Sequence, residues 1–299
     1  MKADLDVTVA LVRALLAEQH PDLAALPLRP VAEGWDNVML RLGDDLAVRV
    51  PRREIAAHLV EHEQQWLPVL AARLPVAVPV AVRVGRPSPA LGYPWSWSVV
   101  PWIAGLRAAD VPVEQRRTAA GPLAAFHRAL HVPAPPDAPV NPFRSAALPT
   151  RGAAVHGRVE RGIVPDGDRV LALWSRLVDA PAWDGPPLWI HGDPHPGNLV
   201  LDDGASAEPH GLAAVVDFGD MTSGDPATDL AAAWLVLDAT GRTVYGEALS
   251  DRYPHDDPVW LRARGWALTM STSMLESGPE HEWVRRMGAE ALARVLADT

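Results

Sequence analysis

The chain has 299 residues, contains no cysteine and carries a formal net charge of −10, from 27 basic and 37 acidic residues. This length allows one large domain or two modest ones, and the lack of cysteine excludes disulfides, thiol nucleophiles and cysteine metal sites. The negative net charge disfavours a protein that binds nucleic acid. No apolar run is long enough to predict a membrane span. Because the first residues also lack the pattern of a signal peptide, the sequence predicts a cytoplasmic protein.

The first hundred residues predict a small, mostly antiparallel sheet with helices against it. Residues 7–20 have the pattern of a helix, with Asp6 as a possible N-cap and Pro21 as its stop. A second helix is predicted over residues 54–72, and Gly-Asp-Asp at 43–45 predicts a hairpin turn. The strand-like runs are residues 28–32, 38–42, 46–50, 76–84 and 95–103.

A carboxylate interrupts the apolar stripe of the second predicted helix. The stripe has helical spacing and consists of Ile55, Leu59, Trp66 and Leu70. Glu63 lies within it, and a carboxylate that faces a core needs a cationic partner. Alternation along the strand at 46–50 places Arg49 on the face opposite its apolar residues, so Arg49 is a candidate partner. The alternative is that Glu63 reaches solvent at the edge of the stripe.

The sequence pattern changes from mostly strand-like to mainly helical after a connector near residues 103–106. From Glu114 onward a helix is predicted, with one apolar face formed by Ala119, Leu123, Phe126 and Leu130. A proline-rich loop follows at 132–142, an apolar strand ends at Asp217, and the remainder is mainly helical. We therefore expect an α+β protein with a β-rich domain at 1–103 and a larger helical domain at 104–299.

Two motifs carry the chemistry. His191, Asp193 and Asn198 follow the pattern H-x-D-x-x-x-x-N, and an apolar strand later ends in Asp217-Phe218-Gly219. This pair of motifs is typical of protein kinases, which catalyse phosphoryl transfer. The reaction needs a carboxylate that orients the attacking hydroxyl, a role that suits Asp193. It also needs oxygen ligands for Mg²⁺, a role that suits Asn198 and Asp217. His191 is expected to shape the loop by hydrogen bonding, and the role of His195 is left open.

The stretches that surround these motifs resemble the aminoglycoside phosphotransferase family, which has a protein-kinase-like fold. The similar stretches are HGDPHPGN, VVDFGD, GDPATDLA, LAAFHRALH, VVPWIAG and GWDNVMLRLGDDLAVRVPRR. The resemblance implies a bilobal α+β fold, with Asp193 as the catalytic aspartate and Asn198 and Asp217 as magnesium ligands. It further implies that Asp229 is a buried brace of the catalytic loop, and that Glu63 anchors the cation that binds the nucleotide phosphates.

The main departure from the kinase pattern is Arg49, which stands where kinase-like folds usually have lysine. Arginine keeps a permanent charge and can hold two phosphate oxygens. The stretches VRVPRR and RLPVAVP are similar to those of macrolide phosphotransferases, so arginine does not imply an inactive enzyme. The nucleotide loop, AEGWDN, lacks the G-x-G-x-x-G pattern, and only its neighbourhood is predicted.

The resulting hypothesis is a Mg²⁺-dependent transfer of phosphate from ATP or GTP to a hydroxylated small molecule, by a monomer or weak dimer. An aminoglycoside-like acceptor is expected because 13 acidic and 7 basic residues follow residue 219, a balance of −6. A macrolide is the alternative acceptor, since Trp234, Trp260, Trp266 and Trp283 could stack on a ligand. Two other classes stay open, a metal-dependent hydrolase that uses His191, Asp193 and His195, and a catalytically silent binding module.

Overall fold

The computed structural model describes residues 3–33, 36–204 and 210–298. The chain forms two compact units. The first consists of Met1–Arg73, Ala77–Ala104 and Asp217–Gly219, and the second of Leu74–Val76, Gly105–Val216 and Asp220–Thr299. Division of the sequence at residue 103 stays a prediction. The centre of the predicted nucleotide loop, residues 34 and 35, lies outside the described residues.

The first unit is built on a five-stranded antiparallel sheet. Its elements in chain order are α1 (Val9–Gln19), β1 (Leu28–Glu33), β2 (Asn37–Leu42), β3 (Leu46–Pro51), α2 (Glu54–Ala71), β4 (Arg83–Gly85) and β5 (Trp97–Pro101). The strand order is β1-β2-β3-β5-β4. Strands β2 and β3 form the predicted hairpin, with Leu42 opposite Leu46 and Gly43 in the left-handed conformation at φ +60°.

The two faces of this sheet are covered by different helices. Buried residues of α1 pack against the face that carries Val48 and Val50 of β3. Because side chains alternate along a strand, Arg49 projects to the other face. There Gln64 of α2 donates from Nε2 to the hydroxyl of Ser98 at 2.9 Å. Arg49 therefore lies on the face of the sheet that α2 covers, as the alternation of side chains along the strand predicted.

Two details of the predicted elements are wrong. The N-cap of α1 is Thr8, whose hydroxyl accepts from the backbone N–H of Leu11 at 3.2 Å, and not Asp6. Of the predicted strand at 76–84, only Arg83 and Val84 enter β4. Pro79 interrupts this run, and proline has no N–H to donate to a strand ladder.

The buried face of α2 is also displaced from the predicted stripe. Ile55 is 56% exposed, and the buried residues of the helix are Ala56, Val60, Leu67 and Leu70. Leu70 is buried as predicted, and the other three positions of the buried face are shifted by one residue, roughly 100° around the helix axis. Glu63 lies three residues after Val60 and four before Leu67, so it sits on the buried face.

The second unit is mainly helical and contains two small sheets. Its elements in chain order are β6 (Leu106–Arg107), α3 (Ala120–Leu130), α4 (Gly152–Glu160), α5 (Gly167–Val178), β7 (Leu188–Ile190), β8 (Leu199–Leu201), β9 (Leu212–Val215), β10 (Thr222–Gly224), α6 (Ala227–Leu230), α7 (Ala232–Leu235), α8 (Ala239–Leu249), α9 (Val259–Met274) and α10 (Glu282–Ala297). The sheets have the orders β10-β7 and β6-β8-β9. The helix predicted from Glu114 begins as a 3₁₀ segment, Val113–Ala119, before α3. Its predicted apolar face is confirmed as buried.

The interior of the second unit is formed around α9, in which most residues are buried. Within the described parts of the chain, no helix is both long enough and apolar enough to span a membrane. The segment between β7 and β8 is the polar loop of the first motif, so two short buried strands fix both of its ends.

Candidate active site

The polar loop after β7 is held by a buried carboxylate. The backbone N–H groups of His191 and Gly192 donate to the two oxygens of Asp229, over 2.7 and 2.8 Å. Asp229 is fully buried, and His131 Nε2 donates to its Oδ2 at 3.2 Å. Burial alone would raise the pKa of Asp229, but the hydrogen bond from His131 and the nearby imidazoles lower it to about 2. The expected brace of the loop is therefore confirmed.

The turn of the loop depends on Gly192 and His191. Gly192 has a φ of +85°, and a Cβ at this position would lie 2.5 Å from the carbonyl oxygen of Asp220, so only glycine fits. His191 accepts at Nδ1 from the backbone N–H of Asp193 at 3.2 Å and donates from Nε2 to the carbonyl of Val216 at 3.0 Å. Its expected role in shaping the loop is confirmed.

Asp193 presents a carboxylate with donors on both oxygens. Oδ1 accepts from Arg144 Nη2 at 2.8 Å. Oδ2 accepts from Asn198 Nδ2 at 3.2 Å and from His195 Nε2 at 3.1 Å. Burial alone would raise the pKa of Asp193, but Arg144 and His195 hold it well below its ordinary value. The side chain is therefore an ionised hydrogen-bond acceptor at physiological pH.

Asn198 ends the short 3₁₀ turn that follows Asp193, and it is buried. Besides the bond to the Asp193 carboxylate, its Nδ2 donates to the backbone carbonyl of Asp193 at 2.9 Å. With the carboxamide nitrogen turned towards Asp193, the carboxamide oxygen is the atom that can ligate a cation. The structure thus brings Asp193 and Asn198 together, as the motif spacing predicted.

The ring nitrogens of His195 are both engaged. Nδ1 accepts from the backbone N–H of Gly197 at 3.0 Å, so the proton lies on Nε2 and is donated to Asp193. His191 is fixed in the same tautomer by its own two backbone partners. An imidazole ring whose two nitrogens are both engaged in hydrogen bonds offers no lone pair to a metal ion. This geometry argues against a hydrolase site formed by His191, Asp193 and His195.

Arg144 is a residue of this site that the sequence did not indicate. Its Nε donates to Asp220 Oδ2 at 2.9 Å, in addition to the bond from Nη2 to Asp193. The other oxygen of Asp220 accepts from Asn141 Nδ2 at 2.8 Å. Arg144 lies 49 residues before Asp193 and belongs to no motif. The sequence signal for it was only a basic residue two positions after the proline-rich loop at 132–142.

In the first unit, Arg49 lies between two carboxylates. Its Nη1 donates to both oxygens of Glu63, at 2.5 Å to Oε1, and its Nη2 donates to Asp217 Oδ1 at 3.0 Å. Burial alone would lower the pKa of Arg49, but Glu63 and Asp217 raise it above its ordinary value. The guanidinium therefore stays charged, and the predicted pairing of Arg49 with Glu63 is confirmed.

Asp217 adopts an uncommon backbone conformation for a residue other than glycine. Its φ is +61°, in the left-handed region that aspartate tolerates better than most residues. Its side chain is 57% exposed even though Oδ1 is bonded to Arg49. A carboxylate that is anchored at one oxygen and open to solvent can still accept a cation. The first unit therefore groups Arg49, Glu63 and Asp217, and the second unit groups Asp193 and Asn198.

A buried polar network continues behind Asp229. His131 Nδ1 contacts the hydroxyl of Tyr253 at 2.9 Å, and His127 Nδ1 contacts that of Tyr245 at 2.5 Å. The two imidazole rings stack with centroids 5.4 Å apart. Burial lowers the pKa of His127 to about 3, so this histidine is neutral in the folded protein at neutral pH.

The residues suggested for acceptor binding are only partly accessible. Trp234 and Trp266 are buried, so their stacking on a ligand is a wrong expectation. Trp283 is half-buried and its ring lies under the guanidinium of Arg107 at 4.2 Å. Among the acidic residues, Glu276 forms ion pairs with two arginines, Arg158 and Arg161. Asp256 and Glu280 are exposed and have no ion pair within the described residues.

Comparison with known proteins gives one family match and several structural matches. The profile of the phosphotransferase enzyme family matches residues 27–266. The GDP complex of wild-type aminoglycoside 2'-phosphotransferase-IIIa is similar with a TM-score of 0.67 and 19% identity, over 98% of this chain and 99% of that one. Macrolide 2'-phosphotransferase MphH from Brachybacterium faecium is similar with a TM-score of 0.60 and 22% identity, over 95% and 98% of the two chains. The streptomycin-ATP complex of APH(2")-IIa has a TM-score of 0.58 at 17% identity, over 97% of each chain. No curated protein matches the chain. The predicted α+β, kinase-like fold is confirmed by these structures.

Proposed function

Because the chain belongs to the phosphotransferase enzyme family, we propose that it transfers the γ-phosphoryl group of ATP or GTP to a hydroxyl of a small molecule in a Mg²⁺-dependent reaction. The observation that carries this proposal is the state of Asp193. Its carboxylate is ionised and is held at both oxygens by three donors from the same unit. Such a group can accept the hydrogen bond of an acceptor hydroxyl and orient its oxygen for attack.

The proposed reaction forms one oxygen–phosphorus bond and breaks another. The acceptor oxygen bonds to the γ-phosphorus, while the bond from that phosphorus to the bridging oxygen breaks and the nucleoside diphosphate leaves with the electron pair. The hydroxyl proton passes to Asp193 and then to solvent. Because Arg144 and His195 lower the pKa of Asp193, this carboxylate contributes more by orienting the hydroxyl than by strong basicity.

Arg49 is the proposed cation for the nucleotide phosphates, and Glu63 is its anchor. Both side chains are nearly buried, with 8% and 11% exposure, and Nη1 is committed to Glu63. The guanidinium is planar and rigid, so fixing one arm also fixes the direction in which the others donate. Arg49 therefore offers a charge of fixed orientation at the position where kinase-like folds usually use lysine.

The proposed magnesium ligands are Asn198 and Asp217. A carboxamide oxygen and a carboxylate oxygen are the hard donors that Mg²⁺ prefers, and this ion is usually bound by few protein groups together with phosphates and water. The exposed carboxylate of Asp217 and the orientation of Asn198 fit this donor set. The resemblance of HGDPHPGN and VVDFGD to the family implies that each of the two residues is a magnesium ligand. When bound, Mg²⁺ neutralises charge on the phosphate oxygens.

We propose an aminoglycoside-like acceptor. The acidic balance after residue 219 would attract a cationic ligand, and Asp256 and Glu280 are exposed carboxylates in that part of the chain. Glu276 gives weaker support, since Arg158 and Arg161 already neutralise it.

A macrolide is the second candidate acceptor. Phe143 is 63% exposed and Val140 is 71% exposed, and both lie in the segment that supplies Arg144. Exposed apolar side chains of this size can contact an apolar ring system, which an aminoglycoside lacks. With either acceptor, a cytoplasmic location and a monomer or weak dimer are part of the proposal, and sedimentation measures the oligomeric state.

A phosphorylation screen tests the proposed function. The purified protein is incubated with ATP or GTP, Mg²⁺ and a panel of aminoglycosides and macrolides, and products are identified by mass spectrometry. We expect an acceptor to gain one phosphoryl group, dependent on Mg²⁺ and on Asp193. Phosphorylated macrolide without phosphorylated aminoglycoside would overturn the preferred acceptor. No modified acceptor with either nucleotide would contradict the proposed function.

A thermal-shift assay separates the remaining classes. A phosphotransferase is expected to be stabilised by nucleotide together with Mg²⁺, because ligands that bind the folded state raise its stability. Stabilisation by a transition metal alone would support the hydrolase hypothesis. Nucleotide binding without turnover would support a silent binding module.

A further inference from the structure

Arg144 reaches Asp193 from a backbone that is itself tightly fixed. The N–H of Arg144 donates to Asn141 Oδ1 at 3.2 Å, and its carbonyl accepts from the Thr228 hydroxyl at 3.0 Å. Its Cβ and Cγ pack so closely over Gly192 that a Cβ there would lie 3.3 Å from each. The guanidinium is therefore presented to the polar loop from a rigid support.

The guanidinium joins two carboxylates that are distant in sequence. Nη2 donates to Asp193 Oδ1 at 2.8 Å, while Nε donates to Asp220 Oδ2 at 2.9 Å. Arg144 is 24% exposed, and Asp193 and Asp220 are 20% and 29% exposed. Asp220 is held in turn by Asn141 at 2.8 Å. Since a planar guanidinium with two bound arms cannot swing freely, Asp220 fixes the direction of the arm that holds Asp193.

The two oxygens of the Asp193 carboxylate accept different numbers of hydrogen bonds. Each carboxylate oxygen can accept about two hydrogen bonds. From the described residues, Oδ2 receives two, from Asn198 and His195, whereas Oδ1 receives one, from Arg144. One acceptor position on Oδ1 therefore remains for a further hydroxyl.

We propose that Arg144 is a positioning residue for phosphoryl transfer, which fixes the rotamer of Asp193 so that Oδ1 receives the proton of the acceptor hydroxyl. This inference rests on the proposed function. As the acceptor oxygen bonds to the γ-phosphorus and the nucleoside diphosphate departs with the electron pair, the hydroxyl proton moves to Oδ1 and then to solvent. Arg144 keeps its own protons and acts through Asp193.

Kinetics of Arg144 variants test the proposal, with Arg176→Ala as the matched control. Arg176 lies in the last turn of α5 in the same unit, is exposed and makes no ion pair within the described residues. We expect Arg144→Ala to lower kcat about a hundredfold, because small displacements of a catalytic group cost this much, with little change in KM for the nucleotide. Arg144→Lys should restore part of kcat, and Arg176→Ala should behave as the parent does.

Chemical rescue adds a readout that a purely structural role would not move. Guanidinium ion, added to Arg144→Ala below the concentration that lowers its melting temperature, should raise kcat of this variant but not that of the parent. A crystal structure of the variant gives a readout without activity, in which the Asp193 carboxylate is expected to leave its rotamer. An unchanged kcat in Arg144→Ala, or an unchanged Asp193 rotamer without rescue, would overturn the proposal.

Two further variants decide the matter if Arg144→Ala does not fold. Asp220→Asn weakens the anchor of Arg144, and Arg144→Lys loses the two-armed contact, so both should lower kcat while the nucleotide KM is kept. Parental kcat in both variants would overturn the role of Arg144. A parent protein that phosphorylates no acceptor would instead overturn the proposed function, so the two failures are distinguishable.

Discussion

Arg49 and Glu63 form an ion pair in which both side chains are nearly buried, with 8% and 11% exposure. Arg49 belongs to a central strand and Glu63 to the buried face of α2, so strand and helix are linked by charge as well as by packing. Breaking such a pair by removing one partner leaves an uncompensated buried charge, at a cost of about 3–5 kcal/mol. The geometry of the pair therefore bears on both stability and nucleotide binding.

Glu63→Gln is expected to impair nucleotide use through Arg49. Glutamine keeps a hydrogen-bond acceptor but removes the charge, so the guanidinium loses its fixed orientation and kcat/KM for the nucleotide falls. A double-mutant cycle with Arg49→Ala measures whether the two residues act together. We expect a coupling energy on the order of 1 kcal/mol or more. Strictly additive effects would show that the two side chains act independently. The neighbouring exposed residue Glu61 supplies the matched control, Glu61→Gln.

Asp193→Asn is expected to reduce turnover by roughly 10²–10⁴-fold while the fold is retained. Asparagine has the same shape but cannot accept the hydroxyl proton, and its amide nitrogen would face donors from Arg144 or Asn198. Steady-state kinetics with circular dichroism as a folding check measure the effect. Asp168→Asn, at an exposed position in α5, is the control. Turnover within a few-fold of the parent would remove Asp193 from the mechanism.

Asp217→Ala is expected to shift the magnesium dependence of activity to higher concentration. The shift should be at least about tenfold, since even outer partners of a metal site contribute 10–100-fold to affinity. Magnesium titration at fixed nucleotide concentration gives the midpoint. Asp217→Asn separates the two roles of the residue, because it keeps an acceptor for Arg49 but removes the charge. An unchanged midpoint in both variants would assign Asp217 a structural role.

The buried imidazole of His127 is expected to make the protein less stable in acid. Its pKa is about 3 in the folded protein, against 6.5 for an ordinary histidine. Between these values the unfolded chain binds a proton that the folded protein does not, so the free energy of unfolding falls as the pH decreases. Between these two pKa values, His127 lowers the free energy of unfolding by about 1.4 kcal/mol for each unit that the pH falls. Above about pH 6.5 the group is unprotonated in both states and causes no such loss.

Urea unfolding of His127→Gln measures this slope. Glutamine does not titrate, so the variant should lose less stability than the parent between pH 6.5 and 4.5, whatever its stability at neutral pH. The exposed His156 provides the control, since His156→Gln should keep the parental slope. An identical slope in parent and His127→Gln would mean that His127 is not responsible.

Much of the fold and of the candidate site could be predicted because the relevant signals are local. The hairpin around 43–45, the apolar face of α3 and the spacing of His191, Asp193 and Asn198 depend on residues close together in sequence. The pairing of Arg49 with Glu63 followed from two periodicities, that of a strand and that of a helix. Local signals were weaker at element ends, where Thr8 caps α1 and Pro79 prevents most of a predicted strand.

The sequence by itself determined the identity of the chemical groups and their order, because residue type and spacing encode which side chains share a loop or a face. Only the tertiary structure decided which partners those groups have. Arg144 reaches Asp193 across 49 residues, and His131 reaches Asp229 across 98, through contacts that no local pattern encodes. The physical reason is that the ionisation and orientation of a buried side chain depend on desolvation and on charges brought near by folding, and both arise only when distant segments pack together.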